Sequence, residues 1–164
     1  MAKSVIRNRE EFLADIEGRD WLSDAVLWKW FREDHSVSKH MLTMYSIVRG
    51  LNAKRVLEIG FGRSSIVLAR AAHENDGEFV CCDTSDCSDI FSESERRSTR
   101  VVVGHADAVW KDETLVRDGF DFAFLDHFSG EGISLFFAVR EVRNCLRVLN
   151  VGGILCIHDK QYSK

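Results

Sequence analysis

Glu58-Ile59-Gly60-Phe61-Gly62-Arg63-Ser64-Ser65 follows the apolar run Val56-Leu57 and leads into Ile66-Val67-Leu68. Arg55 to Ile59 reads as a strand stopped by Gly60, and Ser64 to His73 carries Ile66, Val67, Leu68 and Ala71 at helical spacing. Gly60 and Gly62 permit a tight turn and a close backbone approach, while the helix N-terminus behind them favours an anionic group. A dinucleotide fingerprint places Gly or Ala at position 65, where this chain has Ser, and usually has no acid two residues before the first glycine. An acid there, Glu58, can receive an ammonium group, which suits an amino-acid moiety better than a pyrophosphate. Taken alone, the turn also serves as plain strand-to-helix punctuation.

The same alternation runs outward in both directions. Phe12, Ile16, Trp21, Ala25 and Trp28, then Met41, Met44, Tyr45, Val48 and Leu51, recur at three- and four-residue spacing and predict helices before residue 50. Gly77 breaks to a second strand, Glu78 to Asp83, and the polar stretch from Thr84 to Thr99 reads as a loop with one helical turn. Arg100 to Val103 is the third strand, residues 112–118 a short polar helix, and Phe120 to Leu125 the fourth strand. Residues 131–149 form the clearest helix, with Leu135, Val139, Val142, Leu146 and Leu149 on one face. Asn150-Val151-Gly152-Gly153 turns into a fifth strand, Ile154 to Ile157. Alternating elements with short connections predict an α/β fold, a parallel sheet with helices on both faces. Residues 1–50 are expected to form a helical cap and residues 51–164 the core of one compact unit.

Composition agrees with that class and narrows the partners. The chain has 164 residues, a formal charge of −4, 45% hydrophobic and 29% charged residues, five cysteines and no proline. An average usage of about 5% would supply roughly eight prolines, so polyproline linkers and proline-dependent sites are excluded. The negative charge argues against a nucleic-acid surface, and Arg96, Arg97 and Arg100 form only a small cluster among acids. The N-terminus lacks a signal-peptide core, and no apolar run approaches the roughly 20 residues needed to cross a bilayer. Cys81, Cys82, Cys87, Cys145 and Cys156 are odd in number, lack Cys-x-x-Cys spacing, and read as reduced thiols of a cytoplasmic protein.

In parallel sheets ligands sit beyond the carboxyl ends of the strands. All five expected strand ends here carry a carboxylate or an imidazole: Glu58, Asp83, His105 to Asp107, Asp126-His127 and His158-Asp159. Asp83 lies 23 residues beyond Gly60, where an ionised acid can accept both ribose hydroxyls. Asp107 can accept from an adenine amino group or cap a helix. Glu58, Asp83 and Asp107 together describe a nucleoside carrying an amino acid, which is S-adenosylmethionine.

Val56-Leu57-Glu58-Ile59-Gly60-Phe61-Gly62 resembles the first motif of Rossmann-like, class I S-adenosylmethionine-dependent methyltransferases. The spacing to Asp83, Asp107, Asp126 and Gly152-Gly153 matches that family, over roughly residues 38–160. Phe124-Leu125-Asp126-His127-Phe128 and Leu155-Cys156-Ile157-His158-Asp159 resemble strand ends of catechol O-methyltransferase and related small-molecule enzymes. The resemblance implies strand order 3-2-1-4-5 and a cofactor site made by Glu58, Gly60, Phe61, Gly62, Ser64, Ser65, Asp83, Asp107 and His127. It implies catalytic roles for Asp126, His127 and Asp159, with Asp126 and Asp159 holding Mg²⁺ beside the acceptor hydroxyl.

Some positions depart from that pattern. Lys160 stands where a metal-binding Asn is expected, Ser129 replaces a general-base Lys, and Ser64 takes the third glycine position. Asp126 and Asp159 then either bind a metal or end their strands against the cofactor, and His127 and His158 are further base candidates. Trp21, Trp28, Trp30 and Phe31 either cap a substrate pocket or belong to the core. Relatives carry an antiparallel strand pair after the fifth strand, which the 164 residues leave out, so either a second copy or another chain or the N-terminal helices cover the strand-five edge, or the chain is a truncated or minimal variant. The function expected is methyl transfer to a small-molecule hydroxyl, since the Pro-Pro-Tyr type of amino-methylating site is absent. The alternative is a non-catalytic S-adenosylmethionine-binding partner subunit, and a nucleotide-binding oxidoreductase stands third.

Overall fold

A computed structural model describes residues 40–126 and 135–158. The elements are α1 (Met41–Gly50), β1 (Arg55–Ile59), α2 (Arg63–Glu74), β2 (Glu78–Asp83), a 3-10 turn (Ser88–Ile90), α3 (Glu93–Arg96) and β3 (Thr99–Val103). They continue with α4 (Asp107–Trp110), α5 (Glu113–Val116), β4 (Phe120–Leu125), α6 (Leu135–Val148) and β5 (Leu149–Ile157). The five strands form one sheet in the order β3-β2-β1-β4-β5, every pair parallel. This is the Rossmann-like order expected, with β1 at its centre.

The pleat divides the core. Val56, Phe79, Cys81, Phe122 and Phe124 point to the layer of α1 and α2, where Met41, Met44 and Val48 are buried. Leu57, Ile59, Val80, Cys82, Ala123 and Leu125 point to the other layer, against Val109, Leu115 and Cys145. With helices on both faces, β1, β2 and β4 are buried almost end to end and need no polar alternation.

Polar bonds fasten the amino end of the sheet. Asp121 accepts from the backbone N–H of Lys54 at 2.8 Å and of Arg55 at 3.0 Å, and from the Asn150 amide at 2.9 Å. Arg55 donates to the carbonyls of Gly119 and Leu115 and lies 4.6 Å over the Phe120 ring. Asn75 donates to the carbonyls of Val48 and Ala53, closing the turn that joins α1 to β1.

Three expectations change. Leu51 lies past the end of α1 and is exposed rather than on its buried face. The fifth strand begins at Leu149, not Ile154: Phe120 pairs with Leu149 and Phe122 with Ile154, so residues 150–153 bulge opposite Asp121 instead of forming a turn. On α6 the buried residues are Glu141 and Cys145, whereas Val139 and Leu146 are exposed with Phe136. Val142 and Leu149 of the same expected stripe are partly buried against the layer of Val109 and Cys145, so the core-facing side includes part of the stripe together with Glu141 and Cys145. Among the described residues no helix is long and apolar enough to cross a membrane.

Candidate functional site

The carboxyl ends of the parallel strands make one rim. At its centre, Gly60 closes the β1–α2 turn with φ of 96°, a conformation favouring glycine, and donates its N–H to the Cys82 carbonyl at 2.9 Å. The Phe61 N–H reaches across to the Asp83 carboxylate at 3.0 Å, so the glycine turn and the end of β2 are one unit.

Glu58 is completely buried. Its two oxygens accept from the hydroxyls of Ser64 and Ser65, each at 2.5 Å, and Ser65 Oγ in turn accepts the Gly62 N–H at 3.1 Å. The two serines therefore bind the first turn of α2 down onto β1. Burial pushes the Glu58 carboxyl well above its ordinary range, although both serine hydroxyls pull it back. In this arrangement Glu58 has no solvent-facing oxygen with which to receive an ammonium directly. This latch was not evident from sequence; an acid followed six and seven positions later by paired serines is the signal that would have pointed to it.

Asp83 is half-buried at the end of β2. It accepts the N–H groups of Phe61 and Ser85, both at 3.0 Å, and an ionised carboxylate has about four acceptor positions, which leaves capacity for ribose hydroxyls. The next loop is tied to it: the Gly104 N–H donates to the Asp83 carbonyl at 2.7 Å. Asp107 follows as the first residue of α4, with Ala106 in the capping position. Its carboxylate pairs with Lys111 at 3.0 Å, and that ammonium holds it below the usual carboxylate range. The donors and acceptors of the rim, from the glycine turn through Asp83 to Asp107, fit an amino acid joined to a nucleoside.

Across β1 the rim carries Asp126 and His158, which end the neighbouring strands β4 and β5. Asp126 Oδ1 lies 2.6 Å from His158 Nδ1, and both side chains are mostly buried. The sequence offered each as a separate candidate; their pairing follows from Leu125 standing beside Ile157 in the sheet. An aspartate joined to an imidazole is not the all-oxygen set that Mg²⁺ takes. Among the described residues no three His, Cys, Asp or Glu side chains are placed to hold a metal. His127, Ser129, Asp159, Lys160 and the four aromatics of the expected cap, Trp21, Trp28, Trp30 and Phe31, lie outside the described residues.

Comparison with known proteins agrees with this architecture. Residues 57–160 match the family described as methyltransferase domain. Comparison with curated protein sequences finds no match. Cofactor-bound Rv0187 from MTB is 21% identical with a TM-score of 0.61, over 94% of this chain and 67% of that one. A Staphylococcus aureus protein assigned as a caffeoyl-CoA O-methyltransferase is 16% identical with a TM-score of 0.54, over 90% of this chain and 71% of that one. At these identities the two structures speak to the fold.

Proposed function

This chain belongs to the methyltransferase domain family and is an S-adenosylmethionine-dependent methyltransferase, and we propose that its acceptor is a hydroxyl group on a small molecule. S-adenosylmethionine supplies, when bound, a methyl group made electrophilic by the sulfonium. The Gly60-Phe61-Gly62 turn and the first turn of α2 receive the amino-acid end. Ser64 and Ser65 keep that turn in place through Glu58. Asp83 accepts the ribose hydroxyls, Asp107 the adenine amino group, and His127 packs on the cofactor.

The observation that carries the chemistry is the 2.6 Å contact between Asp126 and His158. An ionised Asp126 holds the imidazole with its Nδ1–H toward the carboxylate, which directs Nε2 to take the proton as the acceptor oxygen attacks. Asp126 also stabilises the imidazolium that results. Asp126 is proposed to act on the acceptor with His158 as the base, and His127 and Asp159 keep the catalytic roles that the family resemblance implies. A hydroxyl, whose proton must leave, makes use of such a pair, whereas an already nucleophilic neutral amine has less need of it.

The test is methyl transfer from radiolabelled donor to a panel of phenols, catechols and sugar hydroxyls. His158→Ala is expected to lower turnover at least 100-fold while S-adenosylhomocysteine still binds with wild-type affinity. An unchanged rate removes His158 as base. Wild-type protein that binds S-adenosylhomocysteine but methylates no hydroxyl refutes the proposed acceptor. A second reading, a cofactor-binding partner subunit, is favoured by the apolar side chains on the β5 side: Phe136 is 79% exposed and Leu146 56%. Turnover by the isolated chain sinks that reading.

A further inference from the structure

The β3 side of the rim depends on α4, which is only one turn long. A helix this short does not hold itself in place, because its nucleation cost exceeds what its few internal bonds return. Its position must come from anchors. Val109 is completely buried in the layer beneath β3, and Trp110 reaches sideways to donate its indole N–H to Glu141 Oε2 at 2.8 Å. Glu141 is itself completely buried in the middle of α6, and its other oxygen accepts from Arg140 Nε at 3.1 Å. A carboxylate in such a place is costly unless matched, and an apolar side chain of similar size would pack at least as well. What an apolar residue cannot supply is direction: a fixed acceptor that sets where the indole, and with it α4, must lie.

We infer that Glu141 is a positioning residue for recognition of the adenine ring, acting through Trp110 to set Asp107 on the rim. The inference rests on reading the rim from Gly60 to Asp107 as the S-adenosylmethionine site. Asp107 and Trp110 are three residues apart on one helical turn, so a shift at the indole moves the carboxylate with it. The loop before α4 is pinned on the other side, where the Gly104 N–H meets the Asp83 carbonyl and Cys82 Sγ lies 3.6 Å from the His105 carbonyl. A ribose held at Asp83 therefore presents its base toward a segment clamped between β2 and α6. Strand spacing of about 4.8 Å makes the neighbouring strand end the next surface the nucleoside meets.

The experiment compares S-adenosylhomocysteine with S-inosylhomocysteine, in which a carbonyl replaces the adenine amino group, by titration calorimetry on the full chain. Wild-type protein is expected to prefer the amino compound by at least tenfold. Trp110→Phe keeps the aromatic packing and removes the indole donor, and should reduce that preference at least threefold. With Trp110 intact, Glu141→Gln retains an acceptor for the indole and should keep the wild-type ratio, whereas Glu141→Leu removes the acceptor and should reduce the preference as Trp110→Phe does. If Trp110→Phe lowers the melting temperature but leaves the preference unchanged, Glu141 has a structural role only and the inference is overturned. If wild-type protein binds neither compound, the site reading itself fails, and the positioning role falls with it. If it binds both equally, Asp107 does not read the amino group, and the inference fails while the site reading stands.

Discussion

Replacing Asp83 by Asn tests the cofactor assignment most directly, and its size follows from the bonds already present. Asp83 accepts two backbone N–H groups, from Phe61 and Ser85, each at 3.0 Å. Asn keeps the shape but has a single acceptor oxygen and no charge. That oxygen can still serve Phe61, so the turn survives, but the two ribose hydroxyls lose a charged acceptor. Hydrogen bonds to charged groups contribute about 1.5–3 kcal/mol each. With one weak neutral bond retained, the net loss is about 3 kcal/mol, or about 100-fold in affinity at 1.4 kcal/mol per tenfold. Calorimetry with S-adenosylhomocysteine at 25 °C measures it, with a thermal melt as control. The variant should melt within about 4 °C of wild type, since a domain of this size loses about 2–4 °C per kcal/mol. An affinity within threefold of wild type would refute the ribose assignment.

Further outcomes are expected. The Glu58 carboxyl is raised first by burial, against the pull of Ser64 and Ser65 and with the Asp126 charge adding to the rise. Its folded value thus lies above the unfolded one, so its stabilising contribution is complete below the ordinary carboxylate range and is lost as pH climbs through the folded value. Glu58→Gln should gain in urea midpoint relative to wild type between pH 5 and pH 9, and a difference constant with pH would contradict this. Gly77→Ala would place a Cβ 2.5 Å from the Lys54 carbonyl oxygen, which already accepts the Glu78 N–H at 2.7 Å. It should lose about 1–3 kcal/mol by chemical denaturation, and an unchanged midpoint would show that the α2–β2 turn yields freely. Burial pushes the Cys145 thiol up to about 12 and Cys82 to about 11. Ellman's reagent at pH 8 should therefore label less than about one thiol within minutes in the native protein and all five after unfolding. Fast labelling of two or more would show that the core opens.

The strands were legible because β1, β2 and β4 are continuous apolar runs with glycine or an acid at their ends, whereas their order came from the family resemblance and not from the runs themselves. Where the reading slipped, a partner distant in the chain had intervened. The segment from Asn150 to Gly153 has turn composition, yet Asn150 is held by Asp121 of the adjacent strand and the segment bulges within β5. The expected stripe read the face of α6 only in part: Val142 and Leu149 pack against the core while Val139 and Leu146 are exposed, and Glu141, held by Trp110 and Arg140, is buried. Glu58 was recognisable as a residue of the rim but not as the centre of a serine latch, since the hydroxyl geometry exists only after α2 has formed. The pairing of Asp126 with His158 needed the β4–β5 register, which no spacing within one strand encodes.

The fastening of the sheet at its amino end has a consequence for how the protein breathes. Asp121, Arg55 and Asn75 lock the ends of β1 and β4 and the turn that enters β1, while the rim above is built of loops and single helical turns. The molecule resembles a comb held along its spine, with teeth that can bend one at a time. Amide protons inside the buried strands, such as those of Leu57 and Phe122, should exchange with deuterium only through global unfolding, and those of the β3–α4 loop through local openings of much lower cost. A ligand on the rim then slows exchange there without touching the spine. Stability and ligand selectivity can accordingly change in this chain by separate substitutions at opposite ends of the same strands.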